Sequence, residues 1–349
     1  MVRYVSKSPT PTMFGNCSHR VNPDDDPKIH TYRFRITHCP PVAGSNPMTN
    51  PITRRHCMQV ITGSALAAPW IVSGSVPAAD DVAASGKRPP WTMRLSTSSI
   101  HYMKLPIEQA CERIAKLGFD AIDVWSAHVG CPHLDDVANR LGADGLKRVL
   151  AKHKLKLFTF SVYKGGYRRY AKLLGDCGGG VAVRGSARPV KPAELTSRMR
   201  EFLDSLKPDI ELAEKYDSYI AIENHGHALL DSIDSFKAFV DLNKSPRVGI
   251  ALAPYHLQGR KASVEKAIEI SGGQLLFFYA WQRERGVKQL PGHGSTDFTP
   301  WLAALAKARY RGYVNPFMHG HLEPDEMSRA LERSCAYLKE CYAKAIPKK

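Results

Sequence analysis

Residues 219–228 read YIAIENHGHA. Ile220 and Ile222 alternate with Tyr219 and Ala221, and Glu223, Asn224, His225, Gly226 and His227 follow at once. An apolar run that stops at a carboxylate, an amide and imidazoles predicts a buried strand delivering polar groups to its C-terminal end. In parallel α/β folds that end is where ligands bind. A strand followed by an ordinary polar loop gives the same string, so recurrence along the chain decides.

The pattern does recur. Working outward, strands are predicted at 181–184, 155–163, 121–125 and 93–100 before this stretch, and at 248–253, 275–280 and 313–317 after it. Between them lie helical segments at 106–117, 143–153, 167–174, 194–216, 232–242, 263–270 and 299–308, with a closing helix at 326–343. The segment 106–117 shows the local grammar well. Pro106 opens it, Ile107, Ala110, Cys111 and Ile114 share one face, and Gly118 ends it. Pro208 must start a new turn or kink the segment 194–216. Eight strand–helix units across residues 90–345 predict a (β/α)8 TIM barrel of the usual ~250 residues. The competing doubly wound sheet lacks its glycine-rich fingerprint after the first strand.

The strand ends are rich in polar and aromatic groups. His101 follows the first strand. Trp125, His128, Cys131 and His133 follow the second, in WSAHVGCPH, and Tyr163 and Lys164 the third. Glu223, Asn224 and His225 close the fifth, Pro254-Tyr255-His256 the sixth, and Trp281-Gln282 the seventh. The eighth leads through Asn315 to His319 and His321, in NPFMHGH. Imidazole and carboxylate gathered in one cleft can bind a divalent metal or move protons. A lone histidine is more often a packing or surface residue, so it is the agreement between strand ends that carries weight.

Over residues 90–345 the chain resembles the sugar phosphate isomerase/epimerase proteins of the xylose-isomerase-like TIM-barrel superfamily. The likeness is carried by STSSI at 96–100, LGFDAIDVW at 117–125, AIENHG at 221–226, APYH at 253–256 and PGHGSTDFTPWLAAL at 291–305. It implies isomerase or epimerase chemistry on a small-molecule carbohydrate, and one divalent metal, manganese or zinc. The implied ligands are a Glu after the fifth strand, an Asp after the sixth, a His after the seventh and a Glu after the eighth. Glu223 matches the first. Ala253-Pro254-Tyr255-His256 stands where Asp-Pro-x-His is usual, so the Asp is absent and the substrate-contacting His is present as His256. Tyr279-Ala280-Trp281 and Asn315-Pro316-Phe317-Met318 stand where the other two ligands are expected, with His319 just beyond. Glu223, His256 and His319 are therefore the candidate catalytic residues, and the candidate ligands of a remodelled metal site. A site with no metal is the other outcome. His101, Trp125, His128, Lys164, Asn224, Trp281 and His321 are the candidate substrate contacts.

Composition bounds the rest. The 349 residues carry 49 basic and 33 acidic side chains, a formal net charge of +16. Residues 1–78 hold 8 basic and 3 acidic residues, so the remainder is 41 minus 30, or +11. That charge suits acidic ligands, or is simply a solvated basic face. Aromatic-interleaved basic clusters of the nucleic-acid type are few, so a nucleic-acid partner is not expected. The basic run Lys164, Arg168, Arg169 and Lys172 is either a phosphate site or a solvated helix face. Of eight cysteines five lie beyond residue 78, an odd number that implies no full disulfide framework.

Residues 1–47, rich in Pro, Asn, Ser and Asp, predict a disordered extension, with Met48 an alternative start. Residues 48–78 resemble a twin-arginine export signal: Thr53-Arg54-Arg55, an apolar run at 60–72, and Val76-Pro77-Ala78 before a cleavage point. Residues 79–90 then serve as a linker to the barrel at 91–345. The apolar run is shorter than the ~20 residues of a membrane span, so a periplasmic protein without an integral membrane segment is expected. Oligomeric state is left open. Three functions remain in play: an exported sugar isomerase or epimerase, a non-catalytic carbohydrate-binding barrel, and a nuclease of the apurinic-site type. The last wants clustered metals and bridging carboxylates that Ala253 and the eighth strand do not supply.

Overall fold

The computed structural model of the protein describes residues 91–346. The expectations for 1–47, 48–78 and 79–90 lie outside the described residues. In chain order the elements are β1 (Ser96–Ser98), α1 (Ile107–Lys116), β2 (Ala121–Trp125), α2 (His133–Asp136), α3 (Gly142–Lys152), β3 (Lys156–Ser161), α4 (Gly166–Asp176) and β4 (Gly180–Gly185). They continue as α5 (Leu195–Ser205), α6 (Lys207–Lys215), β5 (Ser218–Glu223), α7 (Ile233–Leu242), β6 (Val248–Leu252), α8 (Pro254–Gly259) and α9 (Val264–Ser271). The last four are β7 (Leu275–Ala280), α10 (Thr299–Lys307), β8 (Val314–Pro316) and α11 (Pro324–Ala345).

The eight strands pair in sequence order, every neighbour parallel. A parallel bridge between Leu95 and Val314 joins the first strand to the last, and the Val314 N–H donates to the Arg94 carbonyl at 2.9 Å. The protein is a TIM barrel, with apolar helix faces covering the outside of the ring. On α1 the buried stripe is Ile107, Ala110, Cys111 and Ile114. Gly118, at φ +79°, takes the left-handed turn that ends this helix. Ser232 and Ser235 cap α7 reciprocally. The helical stretch around Pro208 divides into α5 and α6, because proline fits a first turn but not a helix interior.

Two short helices were not expected, α2 and α8. The sixth strand stops at Leu252 because Pro254 has no N–H to extend the ladder, while its fixed φ suits a first helical position. The chain therefore turns straight into α8 and lifts His256 over the strand ends.

Two irregularities set what faces inward. The β2–β3 register skips Phe158, and the β6–β7 register skips Leu276. The first lets Phe158 fill the bottom of the barrel against Phe277 and Tyr313, at ring distances of 5.2 and 4.7 Å. It also aims Thr159 and Ser161 inward, toward Asp123. All five cysteines among the described residues are free thiols.

Candidate active site

The barrel interior carries a polar layer beneath an aromatic one. Asp123, fully buried on β2, accepts hydrogen bonds from Ser98 Oγ (2.7 Å), Thr159 Oγ1 (2.7 Å), Ser161 Oγ (2.9 Å) and Trp125 Nε1 (2.5 Å). Ser98 in turn accepts from Asn315 Nδ2 at 3.0 Å. Burial outweighs these donors and pushes the Asp123 carboxyl up to about 6.

Above this layer the aromatic rings form a bowl. Trp125 stacks on Phe317 at 5.4 Å and 17° and lies 5.1 Å from the Tyr163 ring. Trp281 meets Phe317 edge to face at 5.2 Å and stacks on Tyr255 at 4.2 Å and 13°. Gln289 fixes this side. Its Oε1 accepts from Trp281 Nε1 at 2.8 Å and from the His319 N–H at 3.1 Å, while its Nε2 donates to the His319 carbonyl at 3.0 Å.

Glu223 ends β5 at the wall of this bowl, 7% exposed. Its Oε2 accepts from the Tyr163 hydroxyl at 2.6 Å, and that hydroxyl lies 3.0 Å from the hydroxyl of Tyr279. Burial raises the carboxyl to about 7, against the lowering effect of the Tyr163 hydrogen bond and of His225. A carboxyl balanced between its two forms at neutral pH is suited to taking and returning a proton.

Imidazoles crown the rim. His225 lies over His256 with centroids 4.0 Å apart. His256 and His319 both pack edge-on against Trp281, at 5.2 and 5.0 Å. The Nε2 atom of His256 is buried and has no hydrogen-bond partner. Desolvation, then the neighbouring His225, His319 and Arg283, lowers His256 to about 3. His319 is lowered to about 4 by desolvation over the aromatic floor and by His128, His225 and His321, although part of its ring reaches solvent. These two rings are neutral at pH 7.

Glu223, His256 and His319 thus stand round one mouth, with Trp125 and Trp281 as floor and His128 and His321 exposed at the edge. Two other candidates are engaged elsewhere, and a third has an exposed side chain. His101 is buried: its Nε2 accepts from the Met318 N–H at 3.3 Å and its Nδ1 pairs with Thr97 Oγ1 at 3.0 Å, so it ties β8 to β1 and has no nitrogen left for a ligand. Asn224 is spent on Ala253, donating to its carbonyl at 3.1 Å and accepting from its N–H at 2.7 Å. Lys164 is exposed, with its backbone N–H donated to Ser126 at 3.1 Å. The basic run does not gather as a phosphate site either. Arg168 pairs with Asp209, Arg169 with Asp135 and Lys172 with Asp176. Sequence reading missed Asp123, Tyr279 and Phe317. Alternation inward from Trp125 and Trp281 points to Asp123 and Tyr279, each two residues earlier on its strand.

The metal expectation finds no ligand set among the described residues. Among the described residues no three His, Cys, Asp or Glu side chains gather so as to hold a metal ion, and Glu223, His256 and His319 are no exception. The inward positions at the mouths of β5 to β8 are Glu223, Ala253, Trp281 and Phe317. That is one oxygen donor against a methyl group and two aromatic rings, which does not fit a divalent cation. Among the described residues no helix is long and apolar enough to cross a membrane.

A ring of eight parallel strands with polar and aromatic groups at its C-terminal mouth defines a TIM barrel. More narrowly, the chain belongs to the xylose isomerase-like TIM barrel family, whose model matches residues 111–341. The structure of 3-keto-D-glucoside 4-epimerase, YcjR, from E. coli is 17% identical, covers 72% of this chain and 100% of its own, and gives a TM-score of 0.57. A D-psicose 3-epimerase from Clostridium cellulolyticum H10, solved with D-tagatose, is 15% identical over 72% of this chain and 99% of its own, with a TM-score of 0.58. The IOLI protein, solved with a zinc atom, is 16% identical over 73% of this chain and 100% of its own, with a TM-score of 0.55. Likeness at these identities is likeness of fold. No match was found among curated proteins.

Proposed function

We propose that this barrel binds a carbohydrate in its aromatic bowl and moves a proton next to a carbonyl, as an isomerase or epimerase, without routing the step through a metal. The observation that carries this reading is Glu223, a nearly buried carboxyl raised to about 7 and held by a phenol at the bowl wall. In the step, Glu223 takes the proton from the carbon beside the carbonyl. The carbon–hydrogen electron pair moves into an enolate, whose oxygen accepts a hydrogen bond from neutral His256 in its Nε2–H tautomer. The unpartnered, buried Nε2 supports that role, since a buried polar atom is stabilised only when a ligand meets it. His319, on the same indole edge, is the second imidazole available to a hydroxyl. Family membership and the sugar epimerases that share the fold support the substrate class.

Incubating the barrel with a panel of sugars in deuterated water, with a chelator present, tests the proposal. Deuterium is expected at one sugar carbon, and Glu223→Gln is expected to slow its entry about 10²–10⁴-fold. No exchange into any sugar would overturn it. The stacked Tyr255–Trp281 pair also favours a second reading, a carbohydrate-binding barrel without turnover. Sugar affinity that is retained in Glu223→Gln, with no exchange in either protein, would select it. Export belongs to the same proposal and rests on Arg54-Arg55. Replacing both by Lys is expected to keep the chain in the cytoplasmic fraction of an expressing bacterium.

A further inference from the structure

Glu223 offers a substrate one oxygen. Its Oε2 is taken by the Tyr163 hydroxyl at 2.6 Å, while Oε1 has no partner among the described residues and is not sealed in, Glu223 being 7% exposed. Among the described residues no second carboxylate stands across the bowl from it. In the ring β5 faces β1, which β8 and β2 flank. At the mouth β8 and β2 present Phe317 and Trp125, stacked at 5.4 Å, and past β1 both nitrogens of His101 are engaged, by Thr97 and by the Met318 N–H. Asp123 is sealed below the bowl under four donors. The acids of the mouth loops are bound to other partners. Asp231 pairs with Arg260, Glu323 with Lys104, Asp135 with Arg169 and Asp136 with Arg140. Glu284 accepts from Ser295 at 3.0 Å and Asp297 from the Thr299 N–H at 2.9 Å, and Glu194 is exposed just before α5.

The number of bases facing a sugar decides what proton transfer beside a carbonyl yields. Epimerisation takes a proton from one face of a carbon and delivers one to the opposite face, so it needs a proton-transfer group on each side. Moving the carbonyl to the neighbouring carbon needs one group only. In a cis-enediolate both carbons turn the same face to the base, and the group that takes a proton from the first returns it to the second.

We propose that Glu223, through Oε1, is the sole base at the bowl, and that the barrel interconverts an aldose and a ketose rather than a pair of epimers. This deepens the proton-transfer function proposed above and rests on it. Oε1 takes the proton of the hydroxyl-bearing carbon. The C–H electron pair becomes a carbon–carbon double bond, and the carbonyl π pair moves onto its oxygen. The proton of the neighbouring hydroxyl crosses to that oxygen. The oxygen left behind re-forms a carbonyl while the double-bond pair takes the proton back from Glu223 at the adjacent carbon. One C–H, one O–H and one C=O are lost, and one of each is made. Tyr163 holds Oε2, so the carboxyl stays in place and one oxygen serves two carbons a single bond apart.

Pentoses and hexoses, each supplied as aldose and as ketose to the full chain with a chelator present, test this in two ways. In ordinary water, a sugar deuterated at the carbinol carbon beside the carbonyl is expected to give the isomer with part of its deuterium on the neighbouring carbon, on one face only. In deuterated water, Glu223→Gln is expected to slow deuterium entry into the aldose and into the ketose alike, by about 10²–10⁴-fold. The labelled sugar needs only the wild-type chain, so it decides should the variant fail to fold. Should solvent wash the label out before its return, the variant decides. An epimer as product, with solvent hydrogen on the inverted carbon, overturns the one-base inference and leaves the proton-transfer function standing. Exchange that Glu223→Gln retains in one of the two sugars does the same, by exposing a second base. No solvent hydrogen in any sugar sinks the function and this inference together.

Discussion

Asp123 and Glu223 lie inside the same barrel and are treated in opposite ways. On the β1–β3 side, Asp123 is sealed from solvent and receives donors from Ser98, Thr159, Ser161 and Trp125. On the β5–β8 side, Glu223 receives one, from Tyr163, and keeps a sliver of exposure. Near it, His256 Nε2 has none. A polar group saturated by its own protein contributes to holding the barrel together, while one left short of partners marks where a ligand completes the set. The Asp123 side is thus the finished half of the barrel, with Ser96 Oγ and Asn315 Oδ1 as its unpartnered exceptions, and the Glu223 side the open half; substitutions should separate them.

The largest effect on folding is expected at the finished half. Asp123→Ala would strand four donors around a new void, at a cost of about 3–5 kcal/mol in a urea denaturation experiment. Asp123→Asn, which keeps most of the acceptor geometry, is expected to lose well under half of that. Glu223→Ala strands only a phenol that still has Tyr279 beside it, and is expected to cost less than about 1 kcal/mol. Equal costs at the two acids would erase the contrast.

The next largest effect is one of pH. Asp123 and Glu223 have folded values above their ordinary 3.8 and 4.5, so the folded protein holds protons that the unfolded chain releases. Their contribution to stability is present below about pH 4 and is lost as pH rises through about 6 and about 7. His101 and His256 act the other way. Lowered from 6.5 to about 3, chiefly by burial, they contribute stability above about pH 6.5 that is lost as pH falls to about 3. Glu223→Gln removes one of the acid contributions. Its unfolding free energy relative to wild type is therefore expected to rise by about 1–3 kcal/mol between about pH 5 and about pH 8. A flat difference across that window would place Glu223 in water rather than at a dry wall.

Sequence made the ring legible because its signal is repeated eight times: an apolar run, a polar end, an amphipathic helix. One missed turn such as α8 does not disturb it. The site was legible only where side chains come after a strand, as at Glu223, His256 and Trp281. Asp123 and Tyr279 sit within strands whose strings, AIDVW and LLFFYA, read as ordinary core. Only the closed ring shows that both project into the interior rather than toward the helices. His101 and Asn224 mislead for the complementary reason. Their partners, Met318 and Ala253, are backbone groups supplied by other strands, 217 and 29 residues away in the chain. Nothing local in the string distinguishes a side chain bound to a neighbouring strand from one that waits for a ligand.

The smallest effects sharpen the same contrast among residues that look alike in sequence. Asn224 and His321 both follow a strand end and both are polar. Asn224 spans β5 and the end of β6, pairing with both backbone groups of Ala253. Asn224→Ala leaves the buried N–H of Ala253 unmet and its carbonyl with the His256 N–H alone, at 3.3 Å, and is expected to cost about 1–3 kcal/mol in stability, with sugar affinity following only through the loss of structure. His321 is exposed, beside His319 at the rim. His321→Ala is expected to change stability by less than about 0.5 kcal/mol. Because it removes a neighbour that helps keep the His319 ring deprotonated, the His319 titration followed by NMR is expected to move upward. A stability loss at His321 matching that at Asn224 would mean that the rim is bound as tightly as the wall beneath it, and that the open half ends lower in the barrel than Glu223.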